Sequence, residues 1–549
     1  MKDTLTLRLV VILTMVVVLV GGESVSPTPS QAGNRSGDTG RTGPRAVGRR
    51  VNPRALPSIH AGPATQAYTV RQGRNTAALP QQIAPGSPQI AQITTKASNR
   101  LRVSTPAVYS GINMPAACAP GFCYKKPDGA LAAGPTSVLE VVNQAFAVYD
   151  RSGNSLLGPV SLQSFFGTST HPYDVQAIYD AGNAAGGYAG GSGRFIVTAL
   201  VQGNNGPYRA SELVAVSQNS SPQNGGWCTY ELNGVVNFPS GASGGADYDG
   251  LGMDGRYLYI TSNLLSFHSG DFLGSHVLVI PKYTAYPDAS SGSCPTATST
   301  AFDNLVNPDG THSYSVEPAN RPDAATGTSY GMYLVNALAR GGAKLAVHDI
   351  VVNNGVLTLN PAHWVDVSTY SIPYSAPQPG GNNIYPGDTS LDGATWRYGQ
   401  IYTSNTTRVV AGGQNVNPHA SVQWYTWVPG QSTAATWAYT DPNIAYYTPQ
   451  LVVGCQTNST PCTSPYTALS FTGSSGTQPA SFYSLVAGSG APTLVQSGVP
   501  AWQYATEWGD YPGVSTDPNN HSEVWLEGEF TQSSTVWGTA ISAICASSC

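Results

Sequence analysis

The sequence predicts an all-β fold, a β-propeller of about seven blades, and three observations predict it. First, one stretch recurs. Ala246–Lys282 and Trp508–Ile544 each carry Asp-Tyr near their start and place a second Asp seven residues after the first, Asp247 to Asp254 and Asp510 to Asp517. Each then passes a polar turn into an alternating strand, a loop and a further apolar strand, the signature of one sheet in a repeat architecture. Second, such a sheet cannot bury both faces alone, so several copies must pack together. About seven strand-rich units of roughly 60 residues fit the chain after its N-terminal hundred. Third, charged residues are 10% of the 549, against about 25% in an ordinary soluble domain. Gly, Ser, Thr, Asn and Tyr fill the difference, which suits strands and turns. Six or eight blades remain compatible with the same pattern.

In chain order, residues 1–22 read as a signal peptide or N-terminal anchor. Lys2 and Arg8 precede an apolar run of twelve residues, Leu9 to Val20, the length of a signal-peptide core and too short to span a bilayer comfortably. No later stretch is apolar for long enough to cross a membrane. Residues 23–106 are rich in Pro, Gly, Ser, Thr and Arg, with no sustained period, and predict a disordered, basic linker. Ser24 to Arg102 holds eleven Arg/Lys and one acid, whereas Val103 to Cys549 holds twelve basic and twenty-seven acidic residues. An acidic body argues against nucleic acid as a partner. The basic arm suits an anionic wall or membrane surface, or is a solvated linker.

Residues 107–549 predict the propeller. Its candidate blades begin at Asp128, Asp174, Asp247, Glu317, Leu391-Asp392, Tyr466 and Asp510. The motifs Leu131-Ala-Ala-Gly-Pro, Asp174-Val-Gln…Arg194-Phe, Asp254-Gly-Arg-Tyr-Leu-Tyr and Gly509-Asp-Tyr…Asp517-Pro together resemble secreted bacterial β-propellers of the sialidase-like (BNR-like) kind. The resemblance covers nearly all of Val108 to Ile544 and implies fold rather than activity. Ser390-Leu-Asp-Gly-Ala-Thr-Trp396 is one residue short of the sialidase Ser-x-Asp-x-Gly-x-Thr-Trp box, and no Arg-Ile-Pro motif occurs.

Eight cysteines in an exported chain imply disulfides. Cys455–Cys462 and Cys118–Cys123 close local loops, and Cys228–Cys294 would tie neighbouring blades. The competing arrangement bonds Cys545 or Cys549 to Cys118 or Cys123 and staples the ends of the ring.

The acids at blade starts carry the candidate chemistry. Asp174, Asp249 and Asp510 could hold Ca²⁺ with backbone carbonyls, the one cofactor considered and not a required one. Asp510, Glu527, Glu507 and Asp174 are the candidate catalytic carboxylates for glycoside cleavage. The structural alternative is that each Asp caps its own turn. Trp424, Trp427, Tyr446, Tyr447, Trp502 and Tyr504 are candidate stacking platforms for sugar rings, and Arg321 a contact for an acidic sugar. The reading is therefore an exported or surface-tethered, monomeric propeller that binds a polysaccharide or other surface ligand. A glycoside hydrolase or lyase, and a purely structural propeller, are the alternatives.

Overall fold

A computed structural model describes residues 37–57, 59, 67–68, 92–93, 103–118, 122–182, 193–203, 209–324, 328–380, 382–408, 410–411, 414–415, 419–503 and 506–546. Residues 1–22, Tyr504 and Cys549 lie outside this set, so the expectations placed on them do too.

Seven antiparallel sheets follow one another along the chain. Their innermost strands are Ala130–Ala133, Tyr173–Asp180, Ser243–Met253, Glu317–Asn320, Leu391–Arg397, Ala445–Cys455 and Val514–Thr516. In each blade the chain then runs outward through successive hairpins, as in blade 2 through Arg194–Gln202, Ala210–Ser217 and Trp227–Asn233. Each innermost strand touches the next, and that of blade 7 touches that of blade 1. They run the same way down the axis, and those of blades 4 and 5 pair in parallel, Ala319 with Ala394 and Asn320 with Thr395. A narrow axial channel of about 80 Å³ is lined by all seven, from Leu131, Gln176 and Leu251 to Glu317, Thr395, Gln450 and Ser515. The fold is a seven-bladed β-propeller.

The blades stack face to face, so both faces of a strand are buried and the simple alternation of a one-sided sheet is lost. In Tyr257–Ser266, nine of ten residues are buried. An apolar cluster fills every interface. Leu139 and Phe146 meet Val175 and Phe195 between blades 1 and 2. Val214 meets Ile260 between blades 2 and 3. Val452 and Phe482 meet Leu526 and Ile544 between blades 6 and 7. Trp525 and Ile541 meet Val138 and Ala147 where blade 7 closes onto blade 1.

Closure is by a strand. The outermost strand of blade 7 is Ser104–Asn113, which precedes blade 1 in the chain and pairs antiparallel with Val536–Cys545, Tyr109 opposite Ile541 and Val108 opposite Ser542. The ring is thus joined by a ladder that contains both ends of the propeller sequence. The disulfide staple is corrected accordingly: Cys118 bonds Cys123 and Cys455 bonds Cys462 as the expected local pairs, and Cys228–Cys294 forms as the expected tie between neighbouring blades. Cys545 is also disulfide-bonded.

The linker expectation is corrected for residues 37–57. This segment runs along the outer rim. Asp38 bridges Leu359 of blade 4. Arg41–Thr42 adds a strand to blade 3, and Arg49–Val51 adds one to blade 2. The Arg54 guanidinium then donates to Leu156 O of blade 1. A strand added to a sheet edge needs only backbone N–H and C=O groups, so it leaves no apolar period to read. Among the described residues no helix is long and apolar enough to cross a membrane.

Candidate functional site

Asp128, Asp174, Asp247, Asp249 and Asp510 lie close enough to feel one another's charge at the end of the channel where the innermost strands begin. A backbone feature brings them there. Asp128, Asp174, Tyr248, Ser315 and Thr448 all have φ between 44° and 52°, the left-handed region that L-residues seldom adopt. Asp128 and Ser315 stand just before an innermost strand, and Asp174, Tyr248 and Thr448 within one. In three of them the backbone N–H reaches the preceding blade: Tyr248 N donates to Asp174 Oδ2 at 3.0 Å, Ser315 N to Asn263 Oδ1 at 2.9 Å, and Thr448 N to Thr406 Oγ1 at 2.8 Å. Asp510 N donates to Asp128 Oδ1 at 2.7 Å across the closure. Asp174 and Asp128 therefore accept N–H groups from neighbouring blades rather than capping their own turns. The second Asp of the recurring stretch does cap its hairpin. Asp254 Oδ1 accepts from Arg256 N and Tyr257 N, and Asp517 Oδ1 from Asn519 N and Asn520 N.

Burial dominates the electrostatics here. Asp128, Asp174, Asp249, Glu317, Asp510, Glu527 and Glu529 are each at most 7% exposed. Lys126 pairs with Asp510 at 3.2 Å. Desolvation, then the charge of Asp510, raises Asp128 to about 7. Desolvation, then Asp249, raises Glu317 to about 8. Desolvation pushes Asp174, Asp249, Glu527 and Glu529 well above the carboxylate range. Among the described residues no three His, Cys, Asp or Glu side chains form a group able to hold a metal ion. The Ca²⁺ set of Asp174, Asp249 and Asp510 is thus not assembled. Hard-cation sites need several ionised oxygens around one point, and desolvation favours the neutral forms of Asp174 and Asp249. Glu507 stands apart, half-buried, with its backbone carbonyl accepting from Trp502 Nε1 at 3.1 Å.

The proposed platforms are also corrected. Trp424, Trp427, Tyr446, Tyr447 and Trp502 are all at most 3% exposed. Trp424 stacks on Trp437, Tyr446 packs edge-on against Phe471 and Tyr483, and Trp502 packs edge-on against Trp508. Large rings fill the widening gap between blades, and no sugar can reach them there.

Arg321 is where an accessible site does form. It directly follows the innermost strand of blade 4, on the face where innermost strands end in hairpins. With Asp323, Trp396, Arg397, Tyr398, Thr460 and His521 it lines an open cleft of about 540 Å³. Four blades contribute. Trp396 and Arg397 end the innermost strand of blade 5, Thr460 sits in the loop closed by Cys455–Cys462, and His521 lies in the blade 7 hairpin. The last two loops are tied by His521 N donating to Asn458 Oδ1 at 3.0 Å and Cys455 N to His521 O at 2.7 Å.

The two arginines differ. Arg397 is spent on structure: Nε and Nη2 donate to Asp323 at 2.6 and 3.1 Å, Nη1 donates to Val453 O, and Nη2 meets His521 Nδ1 at 3.2 Å. The Arg321 guanidinium lies 3.8 Å from the Tyr330 ring centroid and 3.9 Å from that of Trp396. Its Nη1 is buried without a hydrogen-bond partner, and its side chain has no ion pair among the described residues. Both faces of the plane are covered by rings, and Nη1 is the donor left over. Sequence reasoning singled out Arg321 but missed Tyr330, Tyr398 and His521. The one available signal was positional, an arginine at or directly after the end of an innermost strand in both Asn320-Arg321-Pro322 and Trp396-Arg397-Tyr398.

No protein-family model matches the chain. No curated protein matches it either. Solved structures similar to it include a protein of unknown function from Dyadobacter fermentans (TM-score 0.34, 11% identity, 80% of this chain and 99% of that one). The six-bladed, fucose-recognising lectin of the fungus Aleuria aurantia matches with TM-score 0.31 and 11% identity over 64% of this chain and 87% of its own. The N-terminal domain of Nup159 matches with TM-score 0.29 and 8% identity over 84% of this chain and 100% of its own. At these scores the likenesses carry no argument about ligand or activity, and the fold stands on the chain's own sheets.

Proposed function

We propose that the chain is an exported carbohydrate-binding propeller that takes an acidic glycan into the hairpin-face cleft. The observation that carries this reading is the Arg321 guanidinium, clamped between Tyr330 and Trp396 with its Nη1 unpaired. A planar guanidinium presents parallel N–H donors that match a carboxylate, and stacking fixes the plane before the ligand arrives. The partly exposed Tyr398 and His521 beside it supply the apolar and polar edges that a sugar ring needs. The disulfides fit an oxidising, extracellular setting. Glycoside cleavage is the weaker reading, because a glycosidic bond must lie between two carboxylates and the mouth acids are buried.

The test is retention on immobilised polygalacturonate against dextran, a neutral control. Wild type is expected to be retained by the acidic polymer alone. Trp396→Ala frees one face of Arg321 and is expected to weaken retention about tenfold, the scale of a cation–π contact of ~1 kcal/mol plus lost preorganisation. Equal retention on both polymers would sink the reading.

A further inference from the structure

The rim segment carries Arg41, Arg45, Arg49, Arg50 and Arg54, all exposed. Only Arg41 has a carboxylate within 4 Å among the described residues, through its pair with Asp303. Arg49, Arg50 and Arg54 donate to the uncharged acceptors Phe165 O, Ser291 O and Asn224 Oδ1. The strand residues opposite them are also uncharged: Arg49 faces Thr229, Arg50 faces Cys228, and Arg41 faces Ala301. The hydrogen bonds orient these side chains without neutralising them. A line of four uncompensated guanidinium groups therefore crosses a body whose own charge is negative, twelve basic against twenty-seven acidic residues from Val103 onward.

From this we infer that the rim is a second binding surface, and that its partner is a linear polyanion of the acidic-polysaccharide class. Two features choose this partner. The line is extended, and at about 3.3 Å per residue the stretch from Arg45 to Arg54 covers roughly 30 Å, the scale of several sugar units rather than one small anion. The line is also convex. Passing from the edge of blade 3, beside which Ala46 pairs with Ala297, to blade 1, where Arg54 reaches Leu156, spans two of seven blades, about 100° of the ring. A flexible chain can follow that curve, whereas a flat lipid surface meets it only at a tangent. The surface stands on the rim geometry and is separate from the Arg321 cleft.

The full chain and the variant carrying Arg45→Gln, Arg49→Gln, Arg50→Gln and Arg54→Gln are compared for binding to dextran sulfate, to dextran, and to vesicles with about a third anionic lipid. Wild type is expected to bind dextran sulfate with strong salt dependence. The variant is expected to bind at least tenfold more weakly in about 50 mM salt, with a log–log salt slope shallower by about two to four, as released counterions predict. Arg321→Lys should leave that slope unchanged, which separates this surface from the cleft. If the four-fold variant fails to fold, the pair Arg45→Gln and Arg54→Gln should still lose about half of the slope. Unchanged affinity and slope in a folded variant would overturn the inference. So would loss of vesicle binding with dextran sulfate binding intact.

Discussion

Between about pH 8 and pH 5 the folded chain is expected to gain stability as the solution becomes more acidic. Asp128 and Glu140 are raised to about 7 and Glu317 to about 8, in each case first by desolvation. An acid whose folded pKa exceeds its unfolded one holds its proton longer in the native state. Its contribution is therefore fully present below the unfolded value and is lost as pH rises through the folded value. Each such group opposes folding by on the order of a few kcal/mol once it must ionise inside. His276 adds in the same direction. Burial would lower it, but Glu212 at 2.7 Å and Asp303 raise it to about 9, so its contribution is present below about 6.5 and fades as pH passes 9. The opposite groups act lower down. His276 and Arg41 hold Asp303 at about 2 against burial, so its contribution fades only as pH falls toward that value. Thermal melts are expected to peak near pH 5 and to fall by several degrees by pH 8. Glu317→Gln, which cannot ionise, is expected to melt higher than wild type at pH 8. A flat or rising profile from pH 5 to pH 8 would contradict the buried-acid account.

Removing the closing strand is expected to have the largest effect of any change. A chain beginning at Met114 lacks Ser104–Asn113, leaves Val536–Cys545 as a bare edge, and strips Tyr109 and Ile112 from the cluster between blades 7 and 1. It also deprives Glu140 of the Ile112 N–H, which donates to it at 2.9 Å inside the core. Burial of two large side chains at ~2 kcal/mol each and a ladder of hydrogen bonds at ~1 kcal/mol each together approach the whole stability of a domain. The expected result is loss of a cooperative transition, while a chain beginning at Val103 keeps one. A peptide of Ser104–Asn113 added in trans is expected to raise the melting midpoint of the shortened chain in proportion to the logarithm of its concentration. Equal melting of the two chains would show that the ring closes by other means.

Much of the fold was legible because blades repeat. The spacing from Asp247 to Asp254 and from Asp510 to Asp517 marks the length of an innermost strand from its start to its hairpin cap, and both caps are made. What joins the blades left no such mark. The left-handed positions hold Asp, Asp, Tyr, Ser and Thr, since the requirement is a backbone angle and several side chains can meet it. The rim segment looked like a linker because Pro, Gly and Arg are as common in edge strands as in disordered tethers. Exposed aromatics could not be told from interblade packing, and Trp424 and Trp502 went to the core. The cleft was legible only at Arg321. Its other walls come from residues up to 200 positions away, and only the packing of blades 5, 6 and 7 around the axis brings His521 beside Arg397.

The most direct measurement is a calorimetric titration of trigalacturonate into wild type and Arg321→Lys. Lysine keeps the charge but loses the planar fork. The account predicts binding to wild type, at least tenfold weaker binding to the lysine variant, and no heat from a neutral galactose trimer. Charge-assisted hydrogen bonds of ~1.5–3 kcal/mol set that scale. Equal affinity of both proteins for the acidic trimer, or a preference for the neutral one, would contradict it.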